Sequence, residues 1–172
     1  MTPLGHSSVA FITAATLTKL LPAIDQKIIL SGVICGGVIL DLDLVYHVLK
    51  NGRRGLGRDI SKHRFLPTHT VFFSLILSLL VSIFNIYIAL FFFIGTLIHF
   101  FCDMFFFPEG INLFYPITKK TRSFFVLKTK SFLAPKKIYN SDNWWKNYLT
   151  SPLFWIYEGI PLFISFVILL AK

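Results

Sequence analysis

At 172 residues the chain has the length of one domain, and 55% of it is hydrophobic, with 20 Phe and a mean hydropathy of +0.68. That composition excludes an ordinary soluble domain and puts most of the apolar surface against lipid. The net charge of +9 would suit nucleic acid, but its placement argues otherwise, and the two cysteines, Cys35 and Cys102, lie inside apolar runs and suggest no exported disulfide framework.

A helix needs about 20 apolar residues to cross ~30 Å of hydrocarbon. The first candidate is Leu4–Leu21, diluted by His6, several Ser and Thr, and Lys19; it is expected either to span or to be re-entrant. A cleaved signal peptide is not expected, because the segment before it has no basic residue. Ile28–Leu49 is the second candidate, with Asp41, Asp43 and His47 in its latter half. Val71–Phe107 runs for 37 residues without Lys or Arg, too long for one span, so a helical hairpin turning near Asn85 is expected. Pro152–Ala171 is the fifth, carrying Glu158 and Pro161. The expected architecture is an all-α integral membrane protein of about five transmembrane helices. It forms a single membrane domain over 1–172, with a metal-site core in 1–116, a basic segment in 108–151 and the last transmembrane helix in 152–171.

Charge placement orients this bundle. The segments Lys50–Thr70 and Pro108–Ser151 hold 14 of the 17 basic residues. The positive-inside rule puts both in the cytoplasm with the N-terminus, leaving Lys172 and the connections near Asp25 and Asn85 outside. The basic loops read as topology determinants and partners for anionic lipid headgroups, so membrane lipid is an expected partner and nucleic acid is not. Trp144, Trp145 and Trp155 read as interfacial anchors, and 108–151 as an amphipathic layer on the membrane surface. The glycines at 32, 36 and 37 form a small-residue face for close helix approach.

Seven metal-capable side chains then fall at the cytoplasmic ends of these segments. His6 opens the first helix, Asp41 and Asp43 lie near the end of the second, His63 and His69 precede the third, and His99 and Asp103 lie near the end of the fourth. An ionisable group at lipid depth costs several kcal/mol unless paired, so a chain that places several near one face is building a site. Imidazoles with carboxylates suit a divalent metal, with zinc the expected ion. Seven donors exceed the needs of one tetrahedral ion, so one to three ions are expected.

Spacing refines the roles. His99 and Asp103, four apart, share a helix face and can reach one ion, the alternative being a buried hydrogen-bonded pair. Asp41 and His99 each lie eight residues before their helix ends, about 12 Å below them, so His6 and His69 would sit shallower than His99 unless helix 1 enters deeper or helices 2 and 4 project into water. Asp41 and Asp43 project from different sides of a regular helix. They could serve two metals, or one could ligate while the other acts as base; Asp41 or Asp43 would bridge the ions or take the proton of the water, Asp43 being the candidate general base. The alternative is pairing with Arg53 or Arg58. His63 and His69 flank Pro67, which breaks helical geometry and can fold both rings back. His47 reads as a packing residue. Arg64 is placed to bind a phosphate bidentately, the alternative being a topology-setting charge. The sequence has no Gly-rich phosphate loop, no serine nucleophile elbow and no internal repeat.

In order, Gly5-His6-Ser7-Ser8, Leu40-Asp41-Leu42-Asp43, His63-Arg64 through Thr68-His69-Thr70, Gly95-xxx-His99-xxx-Asp103 and Gly110-Ile111-x-Leu113-x-Tyr115-Pro116 resemble the bacterial membrane-bound metal-dependent hydrolase family, the YdjM-like inner-membrane proteins. The resemblance runs to about Pro116. It departs from the family pattern where Leu40 replaces a proline and at Phe65, Pro67 and Thr70, but every ligand position is kept. It implies metal-dependent hydrolysis in the bacterial inner membrane. A weaker similarity of His99-xxx-Asp103 to all-helical zinc phospholipases C and single-strand nucleases implies phosphodiester chemistry. The expected function is therefore a hydrolase acting on a phosphoester or lipid-type substrate with metal-activated water. The alternatives are a small carrier or sensor of divalent cations or protons, and a structural protein whose basic loops contact acidic lipid.

Overall fold

The computed structural model describes residues 2–51, 65–106, 110–123 and 144–171. Among these, regular structure is helical apart from one antiparallel bridge between Ile111 and Arg122. Helix α1 (Pro3–Leu20) starts on a proline, whose missing N–H is harmless in the first turn. Helix α2 (Gln26–Ile39) is capped by Asp25, whose carboxylate accepts the Lys27 N–H at 2.8 Å. After a break at Leu40 and Asp41 comes α3 (Leu42–Asn51). Helix α4 (Val71–Ser82) begins where the Thr70 hydroxyl accepts the Phe73 N–H at 3.2 Å. Helix α5 (Ile86–Phe106) begins where the Asn85 carbonyl accepts from Tyr87 and Ile88 at 2.9 and 3.1 Å. A short α6 (Trp144–Leu149) precedes a final stretch made of Pro152–Phe154, a π-helical turn Trp155–Gly159 and α7 (Ile160–Leu170).

The centre of the bundle is the contact between α2 and α5. Lipid tails are as apolar as leucine, so helices in a bilayer gain by backbone approach rather than by escaping water. Here the approach is reciprocal. A Cβ on Gly36 would stand 2.0 Å from the Phe92 carbonyl oxygen, and one on Gly95 2.3 Å from the Val33 carbonyl oxygen. Gly37 admits Ala10 of α1 in the same way, and Ala10, Ala14, Ile29, Val33 and Phe91 fill the buried core around the crossing. The outer faces are the reverse of a water-soluble surface, since Leu79, Ile83, Phe84, Ile86, Phe163 and Leu170 are each more than half exposed. Such a contiguous apolar exterior requires a non-aqueous neighbour.

Two stretches are long and apolar enough to cross a membrane, Gln26–Lys50 and Ile86–Phe105, while Val71–Ser82 and Trp155–Leu170 are apolar but shorter. Helix α4 has 12 residues and reaches about 18 Å, well short of ~30 Å of hydrocarbon. Among the described residues, then, two of the five expected spans have full length. The hairpin does turn at Asn85, with arms of unequal length. The expectation of one regular helix over Ile28–Leu49 is corrected by the break at Leu40 and Asp41, where the Asp41 N–H turns to Val38 O at 3.0 Å and the Asp43 N–H to Leu40 O at 3.3 Å.

Residues 110–123 form a strap over the helix ends. Gly110 has φ of +68°, and a Cβ there would stand 2.2 Å from the Arg122 carbonyl oxygen, so glycine is required. The Leu113 carbonyl accepts the Val71 N–H at 3.0 Å, and the Ser123 hydroxyl donates to Met104 O at 3.1 Å. Ile111 is buried with Leu40, Phe100 and Met104, each the chain neighbour of an Asp or His discussed below. Residues 108, 109 and 124–143, half of the expected surface layer, lie outside the described residues.

Candidate metal centre

The 3-10 turn Pro67–His69 is closed by the Thr70 hydroxyl, which donates to Pro67 O at 2.7 Å and caps α4 in the same position. This turn buries His69 completely. Its Nδ1 lies 2.8 Å from Asp43 Oδ2, which also accepts the Thr68 hydroxyl. A carboxylate can only accept, so Nδ1 carries the proton and Nε2 faces inward.

His99 is set by the glycine crossing. Because the Asp41 N–H bonds to Val38 rather than one residue earlier, the Gly37 carbonyl is left to accept from His99 Nδ1 at 2.9 Å. The His99 Nε2 therefore also faces inward, 3.3 Å from His69 Nε2, 3.5 Å from Asp103 Oδ2 and 3.9 Å from Asp41 Oδ1. Asp103 Oδ2 lies 3.8 Å from His69 Nε2.

His6 lies flat on His99, with ring centroids 3.9 Å apart and planes 12° from parallel. Its Nε2 is 3.2 Å from Asp103 Oδ1. The stack and the 3.3 Å between His69 and His99 put the three rings at one level, as a deeper entry of α1 or helices projecting into water would each allow.

His6, Asp41, Asp43, His69, His99 and Asp103 thus converge, all of them buried. Two overlapping donor sets result, His6 with Asp41 and His99, and His69 with His99 and Asp103, and in each the ligand atoms lie within 4.8 Å of one another. Asp43 belongs to neither set; it backs His69. Half-buried His47 also joins neither. His63 and Arg64 lie outside the described residues, as do Arg53 and Arg58.

The donors fit a cation. Two nitrogens held at about 2.0–2.1 Å by a tetrahedral zinc lie roughly 3.3 Å apart, the spacing seen between His69 and His99. A carboxylate or carbonyl behind each ligating imidazole is the usual way its orientation is fixed. Three carboxylates buried among three imidazoles also call for positive charge.

Sequence reasoning missed three contributors. Thr68 and the Gly37 carbonyl act only through the tertiary fold. Glu158 gave a signal, as the only acid in the last apolar stretch, but no role. It is buried, and its carboxylate accepts the Thr2 N–H at 2.6 Å, the Thr2 hydroxyl at 2.8 Å and the Tyr148 hydroxyl at 2.7 Å. The Ser165 hydroxyl adds a bond to Ser8 O at 3.2 Å. The first turn of α1, and with it His6, is thereby fastened to the last helical stretch.

No curated protein and no solved structure matches the chain, so the likeness to zinc phospholipases C rests on the His99-xxx-Asp103 spacing alone. A family model described as YdjM inner membrane protein matches residues 1–171, well past Pro116 and through the helix that carries Glu158. The chain belongs to the YdjM family of inner membrane proteins.

Proposed function

We propose that the chain is a metal-dependent hydrolase, acting on a phosphoester or lipid-type substrate at the cytoplasmic face of the bacterial inner membrane and crossing that membrane about five times. The observation that carries this reading is the approach of His69 Nε2 to His99 Nε2 at 3.3 Å, with both Nδ1 protons already committed. Family membership and the apolar exterior support the membrane setting. The short α4 would be accommodated by local thinning of the bilayer.

His69, His99 and Asp103 Oδ2 would hold one ion. His6 and Asp41, which with His99 make the second donor set, would hold another. His63 is a further ligand of the proposal. A bound divalent ion, zinc by donor chemistry, supplies the Lewis acidity that makes water nucleophilic near neutral pH and offsets charge on a phosphoryl oxygen. Asp43 acts by orienting His69 rather than as the general base. That role passes to Asp41, whose buried Oδ2 has no hydrogen-bond partner and is available for the proton of the attacking water. Arg64 binds the phosphate.

The test is elemental analysis of protein purified in detergent without chelator. Wild type should carry at least one equivalent of zinc, and His99→Ala and Asp103→Ala should carry none. A metal-free wild type ends the proposal. Zinc-loaded protein should then cleave a p-nitrophenyl phosphodiester.

A carrier is favoured by one observation, the near-complete burial of His6, His69, His99 and Asp103, which an occluded ion would also require. Zinc flux into liposomes without turnover of any phosphoester would select that reading.

A further inference from the structure

A cleft of about 550 Å³ opens beside the histidine–aspartate cluster, within the usual size range for ligand pockets. Ile39, Leu42, Phe73 and Leu77 line it together with Asp43 and Thr68. Those last two contact each other and, through Asp43, His69. The cleft therefore abuts the proposed metal centre through Asp43, the residue behind His69. It also adjoins the less tightly enclosed side of the cluster, since Asp41 and Asp43 keep some exposure while His69 and Asp103 keep none.

Asp43 states what the cleft needs. Its Oδ2 is taken by Thr68 and His69, but its Oδ1 is buried and has no hydrogen-bond partner among the described residues. A buried carboxylate oxygen left in this state is costly, so an occupant should bring a donor to it. The walls decide the rest of the occupant. A peptide would need partners for its own N–H and C=O groups along the whole cleft, and apart from Asp43, Thr68 and Tyr46 the lining side chains are apolar. A hydrocarbon chain makes no such demand.

We propose that this cleft binds the acyl or alkyl chain of a membrane lipid, with a hydroxyl or amine of its headgroup donating to Asp43 Oδ1 and its phosphoester directed at the histidine–aspartate cluster. The proposal rests on the hydrolase reading and narrows its substrate to a lipid phosphoester.

The test uses the full chain in detergent and hexadecyl phosphate bearing a mid-chain diazirine. After photolysis, adducts are mapped by peptide mass spectrometry. Adducts should concentrate at Leu42, Phe73 and Leu77. Leu77→Trp should reduce them about tenfold, the effect of displacing two methylenes from the cleft. Leu42→Trp, at an exposed position where folding is not at risk, should do the same. Adducts spread evenly over outward residues such as Phe84 and Phe163, and unchanged in both variants, overturn the lipid site. The two readings fail separately. Cleft labelling of a chain that binds no zinc would keep the lipid site and end the hydrolase. Even labelling of a chain that binds zinc and cleaves methyl p-nitrophenyl phosphate would do the opposite.

Discussion

His69 Nε2 and His99 Nε2 face each other across 3.3 Å, while each ring has already given its Nδ1 proton away, one to Asp43 and the other to the Gly37 carbonyl. In neutral rings this sets lone pair against lone pair. Something positive must lie between them, either a metal ion or a shared proton. The two differ in response to a chelator. EDTA should lower the unfolding temperature of purified protein, and restoring zinc to 100 times its Kd should return about 2.7 kcal/mol. A shared proton would leave the melting curve unmoved by either.

Asp43 and Thr68 stand behind His69 rather than at the ion. Asp43→Asn and Thr68→Val should therefore weaken zinc binding by about 10–100-fold without abolishing it. His69→Ala, His99→Ala and Asp103→Ala should abolish it. Competition titration against a chromophoric chelator separates the two classes.

The α2–α5 crossing has no room for a methyl group at Gly36 or Gly95. Gly36→Ala and Gly95→Ala should each destabilise the protein by about 1–3 kcal/mol, as overpacking does. Both should also lose zinc, because His99 reaches the Gly37 carbonyl only when the helices touch. Thermal unfolding in detergent, with metal content measured on the same samples, checks both effects.

Glu158→Ala removes the acceptor for the Thr2 N–H, the Thr2 hydroxyl and the Tyr148 hydroxyl. Each buried group left unsatisfied costs about 1–3 kcal/mol, so stability should fall markedly. Glu158→Gln keeps one acceptor oxygen and should fall less. In cobalt-substituted protein, Glu158→Ala should change the visible spectrum as His6→Ala does, and the double variant should add nothing further.

The gathering of His6, Asp41, His69, His99 and Asp103 was legible because polar groups stand out in apolar segments whose ends share one side. The roles within the cluster were not. Spacing alone cannot reveal that Thr68 and His69 occupy the Oδ2 of Asp43. The break after Ile39 was hidden because Leu40 and Asp41 carry no glycine or proline to announce it. The depth of His6 could not be read from α1, because Glu158, in the last helical stretch, fixes where α1 begins. The glycine face on α2 was visible, whereas its counterpart Gly95 appeared only as part of a motif, and only the packed pair explains both.

The bond between Thr2 and Glu158 joins residues 156 positions apart. A ribosome releases His6 well before its fastener. Until Glu158 has been made, the growing polypeptide has one imidazole of the cluster without a fixed seat. A chain interrupted before Glu158 lacks the anchor that holds His6 in place.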